Sequence, residues 1–349
     1  MKKKYFWTNP GYRAGKPLVG HHDTDYLIVG GGVAGLFIAY YLQKKGVKRI
    51  TVLERGTIGS GSTGLSAGML VAQLETTPVE RLAVLYGRRV ATLYARALKS
   101  AQQEVRQLMR KGAVACDYRD LNLKTFSTKS SKGQKLEKSI SVNPVKFIQG
   151  MARYLRSRGV VIFENTPLDN VEKNMAKTSR GTIRFKRIAY AVGTSQKHRS
   201  LANVMTTICV TRPLSAKRLR KLRRDGKEMF YNDDEGQSYH YGKITRDKRL
   251  LVGYGDVRKS SSTIHTRLHA PHVRKIKSLL RRTIGLKPRI YRAWSASYAL
   301  SKRPLPYVSV KKGIVEGAGT QIAAIAVASY FSSALLRKRH PLTRVFNHR

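Results

Sequence analysis

The stretch 26–54 limits the fold more than any other part of the chain. Tyr26-Leu27-Ile28-Val29 is a short apolar run of buried-strand type. Gly30-Gly31-Gly32-Val33-Ala34-Gly35 follows, and apolar residues then recur at helical spacing to Lys45, where Gly46 supplies a stop. Arg49-Ile50-Thr51-Val52-Leu53 is a second strand and closes a β-α-β unit. In that setting G-x-G-x-x-G has a mechanical meaning. Gly30 allows the tight turn, Gly32 lets a pyrophosphate approach the backbone, and Gly35 lets helix and strand pack closely. The helix N-terminus offers N–H groups and the positive end of its dipole to an anion. Glu54 ends the second strand, where a carboxylate accepts hydrogen bonds from ribose hydroxyls and repels a 2′-phosphate. The unit predicts a parallel sheet carrying a dinucleotide other than NADP.

The rest of the chain changes character. Residues 79–111 predict one or two long helices, and the Lys- and Ser-rich tract 127–139 an exposed loop or hairpin. Asn143-Pro144 opens another helix, ending at Arg158-Gly159, and short strands follow at 160–163, 182–185 and 188–192. Ile208-Cys209-Val210, 238–245 and 249–253 read as antiparallel strands, with helices at 271–284 and about 321–336. At 349 residues, with 41% hydrophobic and 25% charged residues, the chain is globular and long enough for two domains. An α/β start, an antiparallel middle and a helical end predict a chain that leaves one domain and returns to it. The first domain is expected from 1–75, 140–200 and 295–349, with 1–24 as an arm laid over the surface. The second, α+β with an antiparallel sheet, is expected from 76–139 and 201–294.

Directly after Glu54 comes Arg55-Gly56-Thr57-Ile58-Gly59-Ser60-Gly61-Ser62-Thr63-Gly64-Leu65-Ser66-Ala67-Gly68-Met69-Leu70. Later come Tyr190-Ala191-Val192-Gly193, Tyr239-His240-Tyr241 with 247–253 behind it, Trp294-Ser295-Ala296 and Leu305-Pro306. Together these resemble the FAD-dependent oxidoreductases of the D-amino-acid oxidase superfamily, which includes glycine, sarcosine and γ-glutamylputrescine oxidases. The resemblance covers most of the chain. It implies an α/β fold with a Rossmann-like FAD domain of the glutathione-reductase type. It also implies oxidation of a C–N bond in an amine or amino-acid-like substrate, by hydride transfer to the flavin. Gly30, Gly32, Val33, Ala34, Gly35, Glu54, Arg55, Ser62, Thr63, Ala67, Gly68 and Met69 would then line FAD. Val171 would serve the adenine side, with Gly193, Gly317, Gly319, Thr320 and Gln321 completing the site. Some relatives tether the flavin through cysteine; Cys116 and Cys209 lie outside the matching region, so FAD is expected to bind non-covalently.

Two places depart from the family's pattern. The last flavin loop reads Glu316-Gly317-Ala318-Gly319-Thr320-Gln321-Ile322, with Ile322 where a glycine is usual. A β-branched residue is ill suited to positive φ, so another turn geometry or a weaker grip on the flavin is expected. Tyr298 stands where the family's amino-acid oxidases hold the substrate carboxylate with arginine, which argues against a simple α-amino acid. The flavin performs the oxidation, so the protein needs to position a neutral amine rather than supply a triad. The catalytic candidates are Tyr241, Tyr298 and Trp294, with Tyr239 on the same strand face as Tyr241 and His240 on the other. The alternative for these rings is cross-strand packing.

The charge balance is extreme: 68 Lys and Arg against 20 Asp and Glu, a formal +48. Self-repulsion of that size calls for anions on the surface. A positive potential lowers the pKa of a bound amine and favours substrates carrying a carboxylate or phosphate. Nucleic acid is a conceivable but not favoured partner, because the excess is spread along the chain rather than gathered in a stripe. The competing readings are an RNA-associated, tRNA-modifying flavoenzyme and a degenerate, non-catalytic FAD-binding protein. Two isolated cysteines exclude a disulfide framework and a cysteine zinc site, no other metal site is expected, and a reducing, cytoplasmic setting fits. After Met1-Lys2-Lys3-Lys4 no apolar signal core follows. The apolar stretch 313–336 is interrupted by Glu316 and Gln321 and is expected as a buried helix, not a membrane span.

Overall fold

In the computed structural model, residues 6–72, 79–127, 135–195, 198–233, 239–259, 270–282, 289–311 and 313–346 are described. The β-α-β unit forms as the spacing predicts. Strand Tyr26–Val29 pairs in parallel with Ile50–Leu53, with Ile28 beside Val52. They sit inside a six-stranded sheet ordered Tyr307–Lys311, Ile314–Ala318, Arg187–Tyr190, Tyr26–Val29, Ile50–Leu53, Val161–Phe163. Every neighbouring pair is parallel except the first. Helix Val33–Lys44 is buried from Gly35 to Leu42 and packs on helix Gln321–Leu335. Burying each large apolar side chain in this layer contributes about 1.5–3 kcal/mol. Gly35 has no room for more: a Cβ there would lie 1.8 Å from the carbonyl oxygen of Gly30.

The second sheet has eight strands, ordered Ile290–Ser301, Leu201–Thr211, Leu250–Lys259, Tyr239–Ile244, Met229–Asp233, Arg119–Ser127, Lys135–Ser141, Met69–Leu70. It is antiparallel except where Met229–Asp233 runs parallel to Arg119–Ser127. A third, four-stranded sheet joins Gly20–Asp23 to strands drawn from 170–184.

Several expectations need adjusting. The strand Ile290–Ser301 is continuous and pairs along Leu201–Thr211, so residue 295 falls inside a strand of the eight-stranded sheet and is not a sheet boundary. The arm is built in rather than laid on: Gly20–Asp23 is a sheet strand, and Leu18 is buried. Tyr12 and Gly15 hydrogen-bond the buried Glu164 carboxylate, which also accepts from Arg156 and the Ile58 N–H. Residues 79–111 form two helices, Val79–Tyr86 and Arg88–Arg110, separated by Gly87. The tract 127–139 belongs to a hairpin whose strands pair Thr125 with Lys135; residues 128–134 lie outside the described ones. The apolar stretch 313–336 is a strand followed by a 15-residue buried helix, and among the described residues no helix is long and apolar enough to cross a membrane.

Candidate functional site

One cavity is lined by strands of the eight-stranded sheet, by the 62–68 segment and by the starts of helices Val33–Lys44 and Gln321–Leu335. At one end it is lined by Val33, Ser62, Thr63, Ala67, Gly68, Met69, Gly319, Thr320 and Gln321. Helix Val33–Lys44 opens on it with Gly32 as N-cap, and helix Gln321–Leu335 with Thr320; neither helix is capped by a side chain, and neither first turn carries an acid. Each end therefore presents backbone N–H groups and a positive dipole end. The Val33 N–H donates to Thr63 Oγ1 at 3.1 Å. The required positive φ at the second turn falls on Gln321, at 45°, while Ile322 lies inside the helix and is fully buried. The feared clash of a β-branched residue is thus avoided by placing the strain one residue earlier. Gln321 Oε1 also accepts the Val71 N–H at 3.2 Å.

The segment beside this end is tied down by donors from remote parts of the sequence. Trp294 Nε1 donates to the Leu65 carbonyl at 2.8 Å, and Trp7 Nε1 to the Ser66 carbonyl at 2.9 Å. Lys243 Nζ donates to the carbonyls of Gly68 at 2.8 Å and Val142 at 2.7 Å. Lys243 is fully buried, which holds its ammonium well below the usual lysine range, and it lies 5.1 Å from the Trp7 ring. Gly68 needs its missing side chain: φ is +66°, and a Cβ would stand 2.3 Å from the Val142 carbonyl. Trp294, expected as a catalytic candidate, does not line the cavity; its indole supports the 65–69 backbone from behind.

The opposite end is a wall of tyrosines. Tyr231, Tyr239 and Tyr241 line it in a stack, with ring centroids 5.8 and 6.0 Å apart. Strand alternation puts 239, 241 and 243 on one face. His240 turns to the other face, buried against Phe230. Tyr298 and Ser297 enter from the edge strand and Thr206 from its neighbour. Tyr239 Oη and Tyr298 Oη are 3.0 Å apart, and Tyr298 Oη donates to Asp256 Oδ2 at 2.6 Å. Burial holds the Tyr239 phenol well above its usual range, so it is protonated at neutral pH. Among the described lining residues there is no Lys, Arg, Asp or Glu. Among the described residues, the basic charge of the chain lies outside this lining.

Other expected residues fall around the cavity or away from it. Glu54 Oε2 accepts the Gly31 N–H at 2.7 Å and Oε1 the Gly56 N–H at 2.9 Å, so its carboxylate braces the glycine turn. Gly30, Gly32, Ala34 and Gly35 form that turn without lining the cavity, and Arg55 is exposed. Val171 sits on the short strand Asn170–Glu172 against a separate apolar cluster, and Gly193 lies outside the lining as well. Gly317 is a packing glycine: a Cβ there would meet Phe331 at 2.6 Å. Cys116 and Cys209 are buried outside the lining, and burial pushes both thiols up to about 12. Sequence reasoning missed Tyr231, Leu123 and Phe147 in the lining, as well as Lys243 and Asp256 behind it. Asp256 had one signal, as a lone acid entering a long basic tract.

The family described as FAD dependent oxidoreductase (DAO) matches residues 25–141 and 136–328. Glycine oxidase of Geobacillus kaustophilus is 41% identical over 83 residues, 24% of this chain and 20% of that protein. A putative thiamine biosynthesis oxidoreductase, ThiO, of Rhizobium etli is 40% identical over 73 residues, 21% of this chain and 22% of that protein. The matched stretches thus span about a fifth of these curated relatives. Among solved structures, L-amino acid deaminase from Proteus vulgaris superposes with a TM-score of 0.74 at 13% identity, covering 97% of this chain and 100% of that one. The glycine oxidase structure from G. kaustophilus gives 0.72 at 17% identity, covering 91% and 96%. At such identities the superpositions establish the fold.

Proposed function

The chain belongs to the FAD dependent oxidoreductase (DAO) family, and from that premise we propose that it oxidises a C–N bond of a primary or secondary amine lacking an α-carboxylate. The observation that carries this reading is the pairing of two ends in one cavity. One end offers hydroxyls, glycines and two helix N-termini; the other is an uncharged tyrosine wall.

The residues present fit FAD. An anionic pyrophosphate suits the N-terminus of helix Val33–Lys44 with Ser62 and Thr63, where no acid opposes it. The Ala67-Gly68-Met69 backbone and Gly319-Thr320-Gln321 would hold the ring portion non-covalently. When bound, FAD supplies the acceptor for the two electrons removed from the substrate. Lys243, Trp7 and Trp294 fix the 65–69 carbonyls, so the segment holds one geometry. Tyr239 and Tyr241 present ring faces and neutral phenols to the amine, a surface suited to a cationic or N-alkylated nitrogen. A substrate carboxylate finds no cationic partner among the described lining residues. We keep the division into a cofactor domain (1–75, 140–200, 295–349) and a substrate domain (76–139, 201–294) as a proposal. The six- and eight-stranded sheets support it, apart from Met69–Leu70 and the strands through 140 and 295, which belong to the eight-stranded sheet.

The test is direct. Acid precipitation of purified protein is expected to release a yellow supernatant, and anaerobic amines are expected to bleach the bound flavin. A protein that takes up no FAD, or whose flavin no amine bleaches, contradicts the proposal.

A further inference from the structure

Two phenols and a carboxylate at the tyrosine end form a line that leaves the cavity. Tyr239 lines the cavity, its Oη lies 3.0 Å from Tyr298 Oη, and Tyr298 Oη donates to Asp256 Oδ2 at 2.6 Å. Asp256 does not line the cavity, and its second oxygen, Oδ1, is buried with no hydrogen-bond partner among the described residues. A buried carboxylate with one unmatched oxygen stabilises little by itself and is costly to hold charged. Such an arrangement suits a group that receives a proton.

We propose that Tyr239, Tyr298 and Asp256 form a relay that removes the proton from the substrate ammonium inside the cavity. This rests on the amine-oxidation reading above. Amines of lysine-like basicity are protonated at neutral pH, whereas C–N oxidation needs the nitrogen lone pair. The step balances: the ammonium N–H passes its proton to Tyr239 Oη, the Tyr239 proton moves to Tyr298 Oη, and the Tyr298 proton moves to Asp256 Oδ2. The products are a neutral amine and a protonated carboxyl; no electron is transferred. With Tyr298 donating to Asp256, Tyr239 donates to Tyr298, which leaves the Tyr239 oxygen as an acceptor toward the cavity.

Among the described residues, the titratable groups that act on Asp256 are Tyr298 from strand Ile290–Ser301 and Tyr239 from Tyr239–Ile244, while His272 of helix Ala270–Arg282 packs beside the preceding residues of its strand. His272 stands 3.1 Å from where a Cβ on Gly255 would lie, and meets Tyr254 edge to face. Burial pushes the Asp256 carboxyl up, against the pull of the neighbouring Tyr298 and Tyr239 phenols. That direction suits a proton acceptor better than a permanent anion.

The test uses the full chain loaded with FAD and benzylamine as probe, with flavin bleaching followed anaerobically against pH. Wild type is expected to show a second-order rate constant that is flat from near neutrality up to the amine's own pKa. In Asp256→Asn and Tyr298→Phe, the reactive species becomes the neutral amine in solution. The rate is then expected to rise tenfold per pH unit, reaching about a hundredfold to a thousandfold loss at neutral pH and recovering near the amine pKa. Infrared difference spectra give a second readout. A carboxylic-acid C=O band is expected when the amine binds wild type, and neither in Asp256→Asn nor with a quaternary ammonium of the same shape. Variants that retain FAD but keep the wild-type pH profile overturn the relay while leaving amine oxidation standing. If no amine bleaches the wild-type flavin, the relay falls together with the reading beneath it.

Discussion

The two ends of the cavity are built in opposite ways. The end proposed for the cofactor is mostly main chain, from three short contiguous segments: the start of helix Val33–Lys44, residues 62–69 and residues 319–321. What matters there is where no side chain can stand. The tyrosine end is entirely side chain, drawn from strands around 206, 231, 239–241, 256 and 298, and held by the register of one sheet. What matters there is which group stands opposite which. Steric changes should therefore damage the first end and chemical changes the second.

The largest expected effect comes from breaking the first end. Gly35→Ala drives a Cβ into the Gly30 carbonyl and is expected to cost about 3 kcal/mol, with loss of FAD uptake, checked by thermal unfolding with and without FAD. Lys243→Met should come next, at about 2 kcal/mol in denaturant titration, because two buried carbonyls lose a donor. This variant also has a pH signature. The folded-state pKa of Lys243 is depressed, so the unfolded chain binds the extra proton. Wild-type stability should rise with pH from that lowered pKa toward the unfolded lysine value, by at most about 1.4 kcal/mol per unit from this group. Lys243→Met should flatten that rise.

Smaller effects sharpen the contrast. Trp7→Phe removes the bond to the Ser66 carbonyl but keeps an aromatic ring near Phe6, and is expected to cost about 1 kcal/mol by denaturant titration. Tyr241→Phe should change stability by no more than about 0.5 kcal/mol and leave FAD retention intact, because the ring keeps its place beside Tyr239 and the hydroxyl lies a long 3.5 Å from Thr206 Oγ1. Its effect should instead appear as slower flavin bleaching by amines.

The same contrast explains what the sequence made legible. The glycine turn and the 62–69 segment are each contiguous, and their small residues follow from close backbone approach, so the β-α-β turn was legible; Glu54 was read toward a ribose, and its carboxylate braces the turn at Gly31 and Gly56. Tyr239 and Tyr241 were legible by strand alternation. Tyr231 and Asp256 were not, since only the pairing of Tyr231 with Tyr241 and the line through Tyr298 bring them in. Lys243 was hidden in a chain crowded with lysines; nothing local marks the one whose ammonium is buried. Trp294 was read as catalytic because it sits in a family-like motif, and its indole points to a carbonyl instead. Ile322 looked misplaced because the positive φ was assigned one residue too late.

An uncharged tyrosine wall beside bound FAD should select an amine over its α-carboxylated counterpart. Benzylamine and phenylglycine differ by that carboxylate alone. Anaerobic flavin bleaching of the FAD-loaded protein, compared as second-order rate constants at one pH, is expected to favour benzylamine by more than about tenfold, or roughly 1.4 kcal/mol. Equal rates, or a preference for phenylglycine, would contradict it.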